Sequence, residues 1–214
     1  MKVKLGDIDK YKNTYSLIID EEVWQTVHLS IFGRSPSFPN TTEEELNSRF
    51  ELLEYKGAKA FVLRRLSQKN YHSQELLGAL AKRSVSKVTA VRIISEFTAQ
   101  GYLNDSGWLS SFVRTLRSQR FGFKSILLKL MHRGITKEEA SETIEIFRES
   151  ESEEDNSKSS IEKLLDSRYR SRDLSDRKER DKVIAGLMRK GHDLKDIFEV
   201  LKLRKSREYG LKES

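Results

Sequence analysis

Residues 101–134 have the sequence GYLNDSGWLSSFVRTLRSQRFGFKSILLKLMHRG, and this stretch decides the fold. Asn104 and Asp105 are good helix starters, and apolar side chains recur behind them with the period of an α-helix. Phe121-Gly122-Phe123 interrupts the pattern, and a second apolar stripe ends at Gly134. We therefore predict two helices here. The first has an apolar face of Trp108, Leu109, Phe112, Val113 and Leu116, with Arg114, Arg117 and Arg120 off that face.

The same pattern occurs more than once along the chain. A shift of 50 residues places the preceding segment on this one without a gap, so that Leu66 meets Leu116 and Tyr71 meets Phe121. The match spans three helices and reaches Phe97 and Phe147. A shift of 57 residues gives a third, weaker copy in which Gly191 meets Gly134. Such periodicity predicts tandem helical units that bury their apolar faces partly against one another.

The predicted fold class is mainly α, with three-helix repeats and a small β element at the N-terminus. Short runs rich in β-branched and aromatic residues within residues 1–40 favour an antiparallel sheet or hairpin.

We expect burial at six equivalent repeat positions: Leu66, Leu80, Phe97, Leu116, Leu130 and Phe147. Expected helix N-caps are Thr42, Ser73, Ser86, Thr136 and Asp193. The predicted divisions are 1–57 (β element and a lead-in helix ending near Gly57), 58–104 (first repeat), 105–148 (second repeat), 149–160 (acidic linker), 161–204 (third repeat) and 205–214 (polar tail).

The composition indicates the cellular compartment in which the protein is expected. The 214 residues include no cysteine, which excludes disulfides and thiolate metal sites and fits a reducing compartment. The sequence has no apolar run of about 18 residues, and its start lacks the apolar core of a signal peptide. We therefore expect a cytoplasmic protein without a membrane partner.

The distribution of charge points to an anionic partner. The net charge is +7, from 40 Lys and Arg against 33 Asp and Glu. Residues 58–104 carry eight basic and only two acidic side chains, so the basic excess lies on the predicted repeats. This favours a partner such as nucleic acid. The alternative is that these charges only solvate the helices.

The sequence contains no pattern typical of an enzyme. A glycine-rich phosphate loop, a nucleophile–base pair and a carboxylate pair are all missing, and none of the four histidines has another at i+3 or i+4. We expect no catalytic residue, no cofactor and no metal.

Basic residues at equivalent places are the candidate contacts. Lys82-Arg83, His132-Arg133 and Arg189-Lys190 all follow the second helix of a repeat, where cations also complement the helix dipole. A recurrent basic surface is the functional interpretation. Tyr71, Phe121 and Phe123 could stack on bases, but we favour packing at the turns. The candidate filament or DNA contacts are Arg64, Arg65, Lys82, Arg83, Arg114, Arg117, Arg120, Lys124, Arg133, Arg189 and Lys190.

At these residues the chain resembles the RecX family, bacterial regulators of the RecA recombinase. The resemblance rests on Gly101-Tyr-Leu-Asn-Asp105, Phe112-Val113-Arg114, Gly122, LLKLMHRG at 127–134 and Thr136-x-x-Glu139. It extends to Leu63–Arg83 as a first repeat and Leu187–Gly191 as a third, and covers about residues 58–203. Ser84 stands where the family pattern usually has glycine, so the first turn is expected to differ.

The resemblance implies an elongated, curved array of three-helix repeats. It also implies binding in the groove of the RecA filament on single-stranded DNA, with restraint of ATP hydrolysis and strand exchange. We expect the chain to act on that filament as a monomer. The alternative is a helical repeat protein that binds nucleic acid without sequence preference and without dependence on the recombinase.

Overall fold

The computed structural model describes residues 2–38, 42–150 and 156–210, and side chains as far as residue 206. The chain forms two compact units, Met1–Trp108 and Leu109–Ser214. The described part is mainly helical, as predicted, and its strands are confined to the N-terminal region. Within that part, every helix is too short or too polar to cross a membrane.

The N-terminal sheet has three antiparallel strands in the order β1-β2-β3, which confirms the predicted sheet. The strands are β1 (Val3–Leu5), β2 (Thr14–Ile19) and β3 (Glu22–His28). Every second residue of β2 is buried, namely Tyr15, Leu17 and Ile19. Asp20 and Glu21 join β2 to β3 with φ angles of 49° and 72°, the left-handed geometry of a tight two-residue hairpin.

Ten helices follow in the described residues. They are α1 (Leu29–Phe32), α2 (Glu43–Leu66), α3 (Ser73–Ala81), α4 (Lys87–Ala99), α5 (Asp105–Ser118), α6 (Phe123–Met131), α7 (Lys137–Ser150), α8 (Ser157–Ser167), α9 (Arg177–Arg189) and α10 (Leu194–Gly210). The two helices predicted between residues 101 and 134 are α5 and α6. Phe121 and Gly122 separate them, as expected.

The predicted end of the lead-in helix at Gly57 is wrong, because α2 runs unbroken from Glu43 to Leu66. A Cβ atom at Gly57 would lie 1.9 Å from the carbonyl oxygen of Ile31. Glycine therefore marks a close approach of α1 to the middle of α2. A sequence pattern cannot distinguish this use of glycine from a helix stop.

Three of the five predicted helix N-caps are confirmed, and the one at Asp193 stays a prediction. The side chains of Thr42, Ser86 and Thr136 each accept a hydrogen bond from the backbone N–H three residues on. The prediction for Ser73 is wrong. His72 is the N-cap of α3, and it forms a capping box with Glu75.

The turns after the second helix of each repeat have the same geometry. The N–H groups of Val85, Ile135 and His192 donate to the carbonyl oxygens of Leu80, Leu130 and Leu187, respectively. The residue before each of these N–H groups is left-handed, with φ of 56° at Ser84, 88° at Gly134 and 90° at Gly191. The expectation that Ser84 would change the first turn is therefore wrong.

The predicted core is confirmed at four of its six positions. Leu80, Phe97, Leu116 and Leu130 are buried. Leu66 and Phe147 are half-buried instead. Both lie near the last turn of a helix, α2 and α7, where fewer neighbours surround a side chain.

Two helices extend into segments predicted to be irregular. Helix α8 begins at Ser157, capped by Asn156, so the end of the predicted acidic linker is helical. Helix α10 continues to Gly210, into the predicted polar tail. Residues 151–155 of the linker, 211–214 of the tail and 39–40 of the predicted loop lie outside the described residues.

Candidate nucleic-acid interface

The eleven predicted contact residues differ in accessibility. Five are exposed, namely Arg64, Lys82, Arg114, Lys124 and Arg189. Five are half-buried, namely Arg65, Arg83, Arg120, Arg133 and Lys190. Arg117 is buried with 7% of its surface exposed, so the prediction that it lies off the buried face is wrong. Its guanidinium donates to the carbonyl oxygen of Phe121 (3.0 Å) and lies 4.4 Å from the Phe123 ring centre.

In the first unit, a cluster of cations covers two aromatic rings. This Tyr71 cluster consists of Arg65, Lys69 and Arg83 with Phe61 and Tyr71. The Arg83 guanidinium lies 4.2 Å from the Phe61 ring centre, and the Lys69 ammonium lies 4.5 Å from the Tyr71 ring centre. Arg65 donates to the Tyr71 hydroxyl over 3.0 Å. The end of α2 and the α3–α4 turn together position these cations.

In the second unit, a similar cluster surrounds Phe121, the residue that aligns with Tyr71. This Phe121 cluster consists of Arg120, Lys129, Arg168 and Lys190 with Phe121. The ammonium groups of Lys129 and Lys190 lie 4.7 Å and 5.2 Å from the ring centre. The C-terminal ends of α8 and α9 bring in Arg168 and Lys190.

The electrostatic setting of both clusters is one of crowded positive charge. Burial lowers the pKa of Arg83, and the nearby Arg65 lowers it further. Burial likewise lowers the pKa of Lys190, and Arg168 and Arg120 add to that effect. Among the residues that the structure describes, no carboxylate forms an ion pair with any of the seven cations of the two clusters. Such a surface attracts anions.

Three of the predicted contact residues, one of them in the Phe121 cluster, also have a partner within the chain. Lys124 pairs with Asp193 at 3.1 Å. The Arg133 guanidinium lies over the Phe112 ring at 4.7 Å. The half-buried Arg120 donates to the Ser167 hydroxyl over 3.1 Å. Asp193 offsets the charge of Lys124, whereas the hydroxyl of Ser167 leaves the charge of Arg120 in place.

The aromatic side chains pack as favoured from the sequence. Tyr71 and Phe123 are buried, which confirms that they pack at the turns, and Phe121 is half-buried. Cations cover the faces of these rings, in the geometry of cation–π contacts.

Sequence reasoning missed three cations of the clusters. Lys69 stands two residues before Tyr71, and Lys129 stands two helical turns after Phe121, so proximity to the candidate aromatics could have identified both. Arg168 has no counterpart in the other repeats at either offset. Only the packing of α8 and α9 brings it near Lys190.

Comparison with known proteins gives relatives and structural neighbours. No family profile matches the chain. Two curated proteins called regulatory protein RecX, from two strains of Thermus thermophilus, are each 32% identical over 87 residues. The matched region is 41% of this chain and 60% of each relative.

Two crystal structures share the fold. A regulatory protein RecX superposes with a TM-score of 0.58 at 21% identity, over 94% of this chain and 99% of its own. RecX from Lactobacillus salivarius superposes with a TM-score of 0.55 at 21% identity, over 69% of this chain and 94% of its own. These matches agree with a helical repeat fold preceded by a small sheet.

Proposed function

Because its relatives and its fold support the RecX family for this chain, we propose that the protein is a non-catalytic regulator of the RecA recombinase. It binds as a monomer in the groove of the recombinase filament on single-stranded DNA, in the cytoplasm. By occupying that groove it lowers ATP hydrolysis and strand exchange.

The observation that supports this function best is the presence of a basic cluster in each unit, at Tyr71 and at Phe121. These two aromatic residues align between the repeats, whereas the cations around them come from different positions. The cations come from several elements and lie over Phe61 and Tyr71 in the first unit and over Phe121 in the second. Charges without a carboxylate partner are suited to an anionic surface, and the phosphates of DNA in a filament provide one.

The decisive test is the ATPase activity of the recombinase on single-stranded DNA, with and without this protein. We expect the protein to lower the rate in proportion to the amount added, up to saturation. An unchanged rate at a several-fold excess of protein over recombinase would contradict the proposal.

A second measurement separates regulation of the recombinase from plain nucleic-acid binding. We expect tighter binding to the recombinase–DNA filament than to the same oligonucleotide alone. Equal affinity for both would favour the alternative function, a helical repeat protein that binds nucleic acid independently of the recombinase.

A further inference from the structure

The second unit contains a concavity that the sequence did not indicate. It has a volume of about 580 Å³ and lies between the α8–α9 connection and α10. This volume falls within the range of about 300–1,000 Å³ that is usual for ligand-binding clefts. Its cationic lining residues are Arg170, Arg172, Arg180, Arg204 and Lys205.

Positive charge dominates this concavity. Asp173 is the acidic residue of its lining, and it accepts two hydrogen bonds from Ser175. Two of the arginines are held by carboxylates beside the concavity: Arg172 by Glu179 and Arg204 by Asp166, each at 2.6 Å. Arg170 and Arg180 have no carboxylate partner among the described residues, and Arg170 is exposed.

The floor of the concavity is apolar. It is formed by Leu165, Tyr169, Leu174 and Leu201, all of which belong to or pack against the core of α8, α9 and α10. Tyr169 lies close against α9, since a Cβ atom at Gly186 would be 2.3 Å from its hydroxyl oxygen. An aromatic and aliphatic floor under a basic rim suits a ligand that has both a flat ring and an anionic group.

We propose that this concavity binds the phosphodiester backbone of single-stranded DNA, with a base against the floor at Tyr169. Four of the five cations are arginines, whose planar guanidinium groups fit phosphate oxygens in pairs. An acidic peptide without an aromatic residue would use the cations but would leave the apolar floor without a ring. The choice of DNA as the ligand rests on the function proposed above.

The test is fluorescence anisotropy of a labelled oligothymidine with the full chain and without recombinase, at several salt concentrations. Two variants are measured. The double variant carries Arg170→Gln and Arg180→Gln, and the single variant carries only Arg170→Gln, at an exposed position. The matched control is Lys178→Gln with Lys195→Gln, which removes two exposed cations of the same unit from outside the concavity. Circular dichroism establishes that each variant is folded.

We expect the double variant to bind oligothymidine at least about tenfold more weakly than the control. Its slope of log affinity against log salt should be shallower by about 0.7 for each lost phosphate contact. The single variant should show a smaller loss of affinity and a smaller change in the salt slope. Equal losses in the double variant and the control would overturn the proposal, because they would reflect net charge alone.

The outcome is separable from that of the proposed function. If wild-type protein inhibits the recombinase ATPase but the double variant binds oligothymidine as the control does, the concavity proposal fails and the regulatory function stands. If a glutamate-rich peptide binds at the concavity and oligothymidine does not, the ligand is an acidic protein segment and the DNA proposal is overturned.

Discussion

At the residue scale, Ser84 adopts a conformation that its two counterparts reach with glycine. Its φ of 56° places a side chain in the left-handed region, which costs an ordinary residue roughly 1–2 kcal/mol. The turn nonetheless keeps the hydrogen bonds of the turns at Gly134 and Gly191. The packing of the helices on both sides of the turn therefore imposes this conformation.

We predict that Ser84→Gly stabilises the protein by about 0.5–1 kcal/mol, since relief of strain exceeds the added freedom of the unfolded chain. The matched change Gly134→Ser should destabilise it by a similar amount. Urea unfolding followed by circular dichroism measures both. Destabilisation by Ser84→Gly would show that the serine side chain contributes more than its backbone strain costs.

His192 is a buried residue whose charge state bears on stability. Only 3% of its surface is exposed, and its Nε2 donates to the carbonyl oxygen of Arg120 over 3.1 Å. Nδ1 is therefore the site of protonation, and it has no partner among the described residues. Burial lowers the pKa of His192 from 6.5 to about 4, and the nearby Arg117 and Lys190 also act to lower it.

This lowered pKa predicts a loss of stability in mild acid. Between pH 6.5 and about 4 the unfolded chain binds a proton at His192 that the folded chain does not, so unfolding becomes more favourable as pH falls. The contribution is complete above pH 6.5 and amounts to on the order of 3 kcal/mol. His192→Gln, a neutral residue that can still donate to Arg120, should show a shallower loss over this range. Parallel stability curves for the two proteins would contradict the assignment.

At the element scale, carboxylates from one helix hold the N-terminus of another. Glu54 of α2 is buried and accepts hydrogen bonds from the N–H (2.9 Å) and the hydroxyl (2.6 Å) of Ser86, which caps α4. Asp105 at the start of α5 accepts from the N–H of Ser73 (2.8 Å) and from its hydroxyl, at the start of α3. These bonds satisfy backbone donors that every helix leaves open at its start. They also explain why Ser73 does not cap its own helix.

The contact between α1 and α2 gives an element-scale prediction. Gly57→Ala should destabilise the protein by about 1–3 kcal/mol, because the new methyl group overlaps the carbonyl oxygen of Ile31 at 1.9 Å. Gly78→Ala in α3 is the matched control, since no atom beyond its chain neighbours and its own helix backbone lies within 4 Å of the added carbon. The control should stabilise by about 0.5–1 kcal/mol, as alanine favours a helix. If thermal unfolding shows both changes to be stabilising, α1 does not pack on α2 as described.

At the scale of the whole molecule, the burial of Arg117 changes which residues can test the interface. Charge reversal at Arg114, Arg117 and Arg120 together would disturb the fold, since Arg117 is buried and Arg120 is bonded to Ser167. Arg64, Lys82, Arg114 and Arg189 are exposed instead. Neutralising these four leaves the packing of both units unchanged.

We predict that the four changes to glutamine weaken filament binding at least about tenfold, with a shallower salt dependence of about 0.7 for each lost phosphate contact. The control removes four other exposed cations by changing Lys10, Lys12, Lys178 and Lys195 to glutamine. Binding is measured at two salt concentrations, and thermal unfolding verifies the fold. Indistinguishable binding by the variant and the control would exclude these four residues as specific contacts and leave the Tyr71 and Phe121 clusters as candidates.

The sequence by itself determined the repeats and the fold class. Helical periodicity at Trp108–Leu116, the caps at Thr42, Ser86 and Thr136 and the stop at Gly134 are local signals, and each acts through the backbone next to it. Because the pattern repeats after 50 residues, a helix predicted in one repeat predicts the corresponding helix in the next. For this reason the second helices follow the prediction. The turn at Ser84 keeps the hydrogen bond of the other two turns, contrary to the expectation that it would differ.

Only the tertiary structure decided which charges are available and which glycines are spacers. Gly57, Arg117 and Arg168 have sequence neighbourhoods typical of a helix stop, an exposed arginine and an isolated cation. Their roles come from Ile31, Phe123 and Lys190, which are distant or on another element. The close approach at Gly57, the ring contact of Arg117 and the nearby positive charge at Arg168 all arise from packing. Periodicity in the sequence indicates only which face of a helix is apolar. The basic concavity at Arg170 and Arg180 could not be predicted for the same reason, since a loop and three helices line it.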